Sequence, residues 1–234
     1  MSAVLALPLV ALASACSTDK DDDAARKSPA PTASPTSDSE KKATVEAERI
    51  GAVPPAELRR AALNGKSNGF QWKEVPESEV KAGLGMKADP AECQPLASLA
   101  GGTTSIEPVS LVHRSLEPTE AKNATVGSMW LASHSKKNAE RVMKDLHTAL
   151  KKCPKGFKTL GLTYQSVKQL DEPDLGDEAV VYRLTNVVGK QSMPMTFTVV
   201  RKGGLIAAFY GVNMLDEKNS RIPQPVVEAQ LEQL

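Results

Sequence analysis

One amphipathic helix followed by an unbroken series of strand signals restricts this chain to few folds. From Ser135 to Lys152, apolar residues fall at Ala139, Val142, Met143, Leu146, Ala149 and Leu150. That stripe has the helical period of about 3.6 residues. Pro154 and Gly156 terminate it. Beyond this point the apolar period drops towards two. Strands are expected at Phe157 to Leu170, Ala179 to Asn186, Met193 to Arg201 and Leu205 to Asn213. Gly203-Gly204 is a tight hairpin signal between the last two, and Gly176-Asp177 introduces the second.

The segment before the helix is more mixed. Pro54 to Leu63 reads as a short helix, with proline at its start and Asn64-Gly65 stopping it. Phe70 to Val75 alternates as a strand. Asp89 to Leu99 looks helical, with Asp89 as its cap and Gly101-Gly102 at its end. Ile106 to Leu116 and Ala124 to Ser133 alternate again. The chain closes on a helix from Pro223 to Leu234 that places Val227, Leu231 and Leu234 on one face. Helices lead and hairpin-linked strands follow, so the expected class is α+β: a single domain, a twisted and mainly antiparallel sheet, and helices packed on one face. The other face is then partly polar and open to a ligand.

The first residues carry an address. Ala3 to Ala15 is an uncharged apolar stretch ending in Leu12-Ala13-Ser14-Ala15-Cys16. A membrane-spanning helix needs about 20 apolar residues, so this shorter run reads as a signal segment. Small residues followed by a cysteine form a lipobox, which makes residues 1–15 a lipoprotein signal peptide and Cys16 the lipidated first residue of the mature chain. No Lys or Arg precedes Cys16, and a signal needs a basic start, so initiation upstream of Met1 is expected. Burying acyl chains gains about 0.8 kcal/mol per CH₂, and the two or three chains of a bacterial lipoprotein suffice for stable attachment. The chain is thus expected to be palmitoylated and held on the extracytoplasmic face of the cell membrane.

Residues 16–50 then change composition, through Asp21-Asp22-Asp23 and Ser28-Pro29-Ala30-Pro31-Thr32. They hold almost no aliphatic side chain, which predicts a disordered Pro/Ser/Thr-rich tether. Residues 51–234 remain for the globular domain.

With Cys16 lipidated, two cysteines are left, Cys93 and Cys153. Exported proteins meet oxidising conditions, so these two are expected to form a disulfide, with two free thiols as the alternative. The bond would close a loop of about 60 residues, worth about 4 kcal/mol in the chain-entropy model, and would staple two helices together. The net charge of +1 gives no electrostatic case for nucleic acid. The cysteines lie far apart and the histidines lack ligand spacing, so no metal or other cofactor is expected.

Several features taken together carry a family resemblance. They are the lipobox, the Pro/Ser/Thr tether, an early cysteine and an amphipathic helix ending in a second one. Gly176-Asp177-Glu178-Ala179 before Val180-Val181-Tyr182-Arg183, the Val200-Arg201-Lys202-Gly203-Gly204 hairpin and the final helix complete the set. From about Pro54 to Leu234 the chain resembles actinobacterial lipoproteins related to the extracellular sensor domain of PknH-type Ser/Thr kinases. The resemblance implies helices on a twisted antiparallel sheet and a cleft that takes a ligand. That family typically has two disulfides where this chain can form one, and no cleft residue is carried over.

Catalytic patterns are weak. Asp177 and Glu178 are adjacent carboxylates, but neighbours in a turn do not face each other as acid and base must. Met193, Met195 and Met214 offer thioethers for a soft metal, yet without His or Cys they read as core filling. His113, His134 and His147 are scattered through separate elements and read as structural or solvated, and no Gly-x-Ser-x-Gly elbow occurs. The expectation is a non-enzymatic, lipid-anchored binding or sensor-like domain of the cell envelope. Its partners would be the membrane, through the anchor, and an envelope small molecule, lipid, glycan or protein. The competing readings are a cell-wall-associated hydrolase with an unrecognised site and a purely structural envelope lipoprotein.

Overall fold

The computed structural model describes residues 37–213 and 215–234. The signal segment, Cys16 and Met214 lie outside them. Helix α1 (Asp38–Ile50) comes first; the Ser37 hydroxyl accepts from the Glu40 N–H at its start, and Gly51 ends it at φ 69°. The tether was expected to run to Ile50, but Asp38–Ile50 is helical, and the rest of that expected segment lies outside the described residues. The reason lies in the sequence: these residues lack proline and are dominated by Ala, Glu and Lys, with Asp38 and Glu40 in the first turn and Arg49 in the last. Ala47 is buried, and Arg59 of helix α2 (Pro55–Ala61) pairs with Glu40.

There follow β1 (Gly65–Ser67), β2 (Phe70–Glu74), α3 (Glu77–Gly83), α4 (Gln94–Ala100), β3 (Ser110–Pro118), β4 (Thr125–Ser133) and α5 (Lys136–Lys152). Then come β5 (Gly156–Thr159), β6 (Leu162–Leu170), β7 (Glu178–Val188), β8 (Gln191–Lys202), β9 (Leu205–Asn213) and α6 (Gln224–Leu231). All nine strands join one antiparallel sheet in the order β1-β2-β3-β4-β9-β8-β7-β6-β5.

Four elements differ from the expectation. The strand from Phe157 to Leu170 is two strands, because Leu160 and Gly161 take φ of 46° and 78° and reverse the chain. Asp89 does not cap a helix. It is extended, exchanging backbone hydrogen bonds with Lys158 at 2.9 and 2.8 Å, and α4 starts only after a 3-10 turn at Ala91–Cys93. Helix α3 and strand β1 were not foreseen.

The sheet is α+β as expected, but it is covered on both faces. On one face Trp130, Tyr182, Phe197, Ile206 and Ala208 pack with α4 and α5. On the other, Met129, Leu131, Val200, Ala207 and Phe209 pack with Leu58 of α2 and with Val226, Val227 and Leu231 of α6. Successive residues of β4 and β9 therefore enter opposite cores, which explains why β9 reads as the near-continuous apolar run Leu-Ile-Ala-Ala-Phe. The expected open polar face is absent from the centre of the sheet.

Cys93 and Cys153 form the expected disulfide, with Cα atoms 6.0 Å apart. Cys93 ends the turn that leads into α4, and Cys153 is the C-cap of α5. The bond ties both helices together over one face.

Candidate functional site

A cleft of about 510 Å³ lies between the residues after α3, the helix α4 and the start of β3. Glycine places its walls. A Cβ on Gly83, at the end of α3, would lie 2.5 Å from the Gly101 carbonyl oxygen, and one on Gly101 would lie 2.3 Å from that of Gly83. Only two glycines let these helix ends meet backbone to backbone. Gly101-Gly102, read from the sequence as a stop signal, therefore also joins two helices.

Gln94 holds one wall. Its Nε2 donates to the Met86 carbonyl at 2.7 Å and to the Ser98 hydroxyl at 3.0 Å, while its Oε1 accepts from Ala88 N–H at 3.1 Å. Thr104 holds the other. Its hydroxyl donates to the Ile106 carbonyl at 2.7 Å and lies 3.0 Å from His134 Nε2. A hydroxyl has one proton, so with that proton given to Ile106 the oxygen accepts from His134 Nε2–H. The Ser105 hydroxyl is buried and finds no partner among the described residues.

The lining is mixed. Met86 and Leu111 are apolar, Gln94, Ser98, Thr103 and Thr104 offer amide and hydroxyl groups, and the charged members are Lys87 and Glu107. Burial holds His134 as a neutral imidazole, its pKa lowered to about 4. His113 donates from Nε2 to the Gly102 carbonyl at 2.6 Å, and its ring stacks near Trp130, with centroids 6.3 Å apart. Burial is the main cause that lowers its pKa; the Gly102 hydrogen bond opposes the shift and the Arg114 charge adds to it. Among the described residues His134 meets the Thr104 hydroxyl and His113 the Gly102 carbonyl, and neither ring is paired with a carboxylate.

The other sequence candidates stand elsewhere. Asp177 accepts from the Gly203 backbone N–H and from Arg201, both at 2.8 Å, and Glu178 lies between Arg201 and His147 at 3.3 and 3.1 Å. Their chemistry is that of a braced turn. Met195 is buried and Met193 partly so, both against the α5 side of the sheet. With Val126, Tyr210 and Val212 they line a second, apolar recess of about 430 Å³. The three histidines are not brought together. Gln94, Ser98 and Thr104 had no sequence signal beyond their place beside the glycine pair.

No family model matches the chain, and no curated protein resembles it in sequence. A solved structure described as an uncharacterized protein from Mycobacterium smegmatis (Rv0999 ortholog) is similar at 15% identity, covering 76% of this chain and 90% of that one. The TM-score is 0.34, a likeness that carries no argument about function.

Proposed function

We propose that this chain is a lipid-anchored binding or sensor-like domain on the extracytoplasmic face of the cell membrane, related to actinobacterial sensor lipoproteins and without catalytic activity. Cys16 carries the lipid and the tether holds the domain clear of the bilayer. The observation that carries the binding part is the cleft between α4 and β3. Its size of about 510 Å³ falls in the range of about 300–1,000 Å³ typical of small-molecule sites. Its walls are braced by Gln94 and Thr104, so little ordering is needed when a ligand enters. Amide and hydroxyl groups beside Met86 and Leu111 suit a ligand with both polar and apolar parts, such as a glycan, lipid fragment or peptide of the envelope.

Thermal-shift screening of the full chain against envelope lipids, glycans and peptides tests this reading. A ligand that binds the folded form raises the melting midpoint by mass action. The expected result is a shift with one ligand class that is lost in Thr103→Trp, which fills the cleft. No shift with any class, or a shift untouched by that substitution, contradicts the cleft as the site.

A further inference from the structure

On the opposite sheet face, away from the cleft, Lys168, Arg183, Lys218 and Arg221 line one recess of about 400 Å³, with Asp171 as its acidic member. The chain as a whole carries only +1, so this accumulation is local. Among the described residues, none of these four cations has a salt-bridge partner within 4.0 Å.

The fold builds the recess deliberately. Lys168 and Arg183 are direct cross-strand partners on β6 and β7, placed so by a register shift between Gln165 and Lys168. Like charges in that position are destabilising, which leaves the pairing without a structural benefit of its own. Arg183 is aimed by its neighbours. Its Nε donates to the Thr196 hydroxyl at 3.2 Å, and that hydroxyl lies 2.7 Å from the Ser220 hydroxyl. Thr196 and Ser220 are both 0% exposed, so the guanidinium is fixed from within the core, and its terminal amines find no partner among the described residues.

Arg221 arrives by a different route. The segment from Ser220 to Ile222 lies flat on the sheet over Gly127 and Gly211, which are register partners. A Cβ on Gly211 would sit 2.4 Å from the Ser220 carbonyl oxygen, and one on Gly127 would sit 2.9 Å from Ile222 Cδ1. The two glycines thus bring Arg221 down beside Arg183. Partial burial costs Arg221 some solvation, which Asp171 offsets in part.

We infer that this recess is an anion site for a phosphate monoester, with Arg183 and Arg221 as its principal donors and Lys168 and Lys218 at its rim. Arginine forks match phosphate oxygens in pairs, and charge-assisted hydrogen bonds of this kind are about twice as strong as neutral ones. A phosphate monoester carries about 1.5 to 2 negative charges near neutral pH, which suits an excess of cations better than a single carboxylate does. The inference does not depend on the cleft between α4 and β3.

Two probes separate the sources of such a group. Glycerol 3-phosphate, titrated calorimetrically into the full chain carrying C16S, represents a free solute. Phosphatidylcholine vesicles with and without phosphatidic acid, assayed by co-sedimentation, represent a lipid headgroup. Binding is expected with at least one probe and should weaken about tenfold or more in R183Q and in R221Q. Lys168→Gln should weaken it less and should raise the melting midpoint of the ligand-free chain, because it relieves the cross-strand repulsion. Absence of binding to both probes at millimolar concentration, or binding unchanged in the R183Q/R221Q double variant, overturns the inference.

Discussion

Tyr182 of β7 and Phe197 of β8 stack face to face, with ring centroids 4.9 Å apart and planes within 2° of parallel. They are cross-strand partners and sit at the centre of the core beneath α5. The Tyr182 hydroxyl is fully buried and finds no partner among the described residues, and burial raises its pKa well above the ordinary value. The ring provides packing, and the hydroxyl is carried at a cost.

Tyr182→Phe should therefore stabilise the domain. It keeps the stack and removes a desolvated group whose penalty is about 1–3 kcal/mol, with some loss of packing where the oxygen was. A net gain of about 1 kcal/mol in urea unfolding is expected. A loss of similar size would mean that the hydroxyl has a partner in solution, such as a bound water.

His134 makes stability depend on pH. Its folded pKa of about 4 lies below the ordinary 6.5, so between these values the unfolded chain binds more protons. Stability is then complete above pH 6.5 and falls as the pH drops towards 4. The full loss is about 3 kcal/mol at about 1.4 kcal/mol per pKa unit. His134→Gln keeps a donor towards Thr104 without a titrating ring, so its stability curve should be flatter over that window. Equal slopes in both proteins would contradict the assignment.

The disulfide should matter as much as any single core residue. Cys93→Ser with Cys153→Ser should lower unfolding free energy by about 2–5 kcal/mol, the range for native bonds in small exported domains. Both sulfur-bearing residues are buried, at 0% and 2% exposure. Mild reductant should thus leave the native bond intact and cleave it only under denaturing conditions, as non-reducing peptide mapping would report.

What the sequence made legible was local. The α5 stripe from Ala139 to Leu150 appears as the buried side of that helix, and β9 runs over the residues expected of it, because one periodicity dominates each window. The turn at Leu160-Gly161 was hidden, since Leu160, Leu162 and Tyr164 alternate across Gly161 as they would in one strand. Coverage of both sheet faces was hidden too. The apolar run in β9 contained that information, but it became interpretable only once α2 and α6 were seen on the second face. The cleft and the basic recess depend on close approaches, Gly83 to Gly101 and Gly211 to Ser220, that join residues with no periodic relation. Arg183 and Arg221 belong to different elements and carry no shared motif.

Attachment through Cys16 is the proposal on which the location of this domain rests, and metabolic labelling tests it most directly. Cells expressing the gene from its own locus are fed radiolabelled palmitate, and the product is fractionated beside a Cys16→Ser variant. The account predicts label on the wild-type chain in the membrane fraction and none on the variant. An unlabelled wild-type chain, or one recovered with cytosolic proteins, would contradict it.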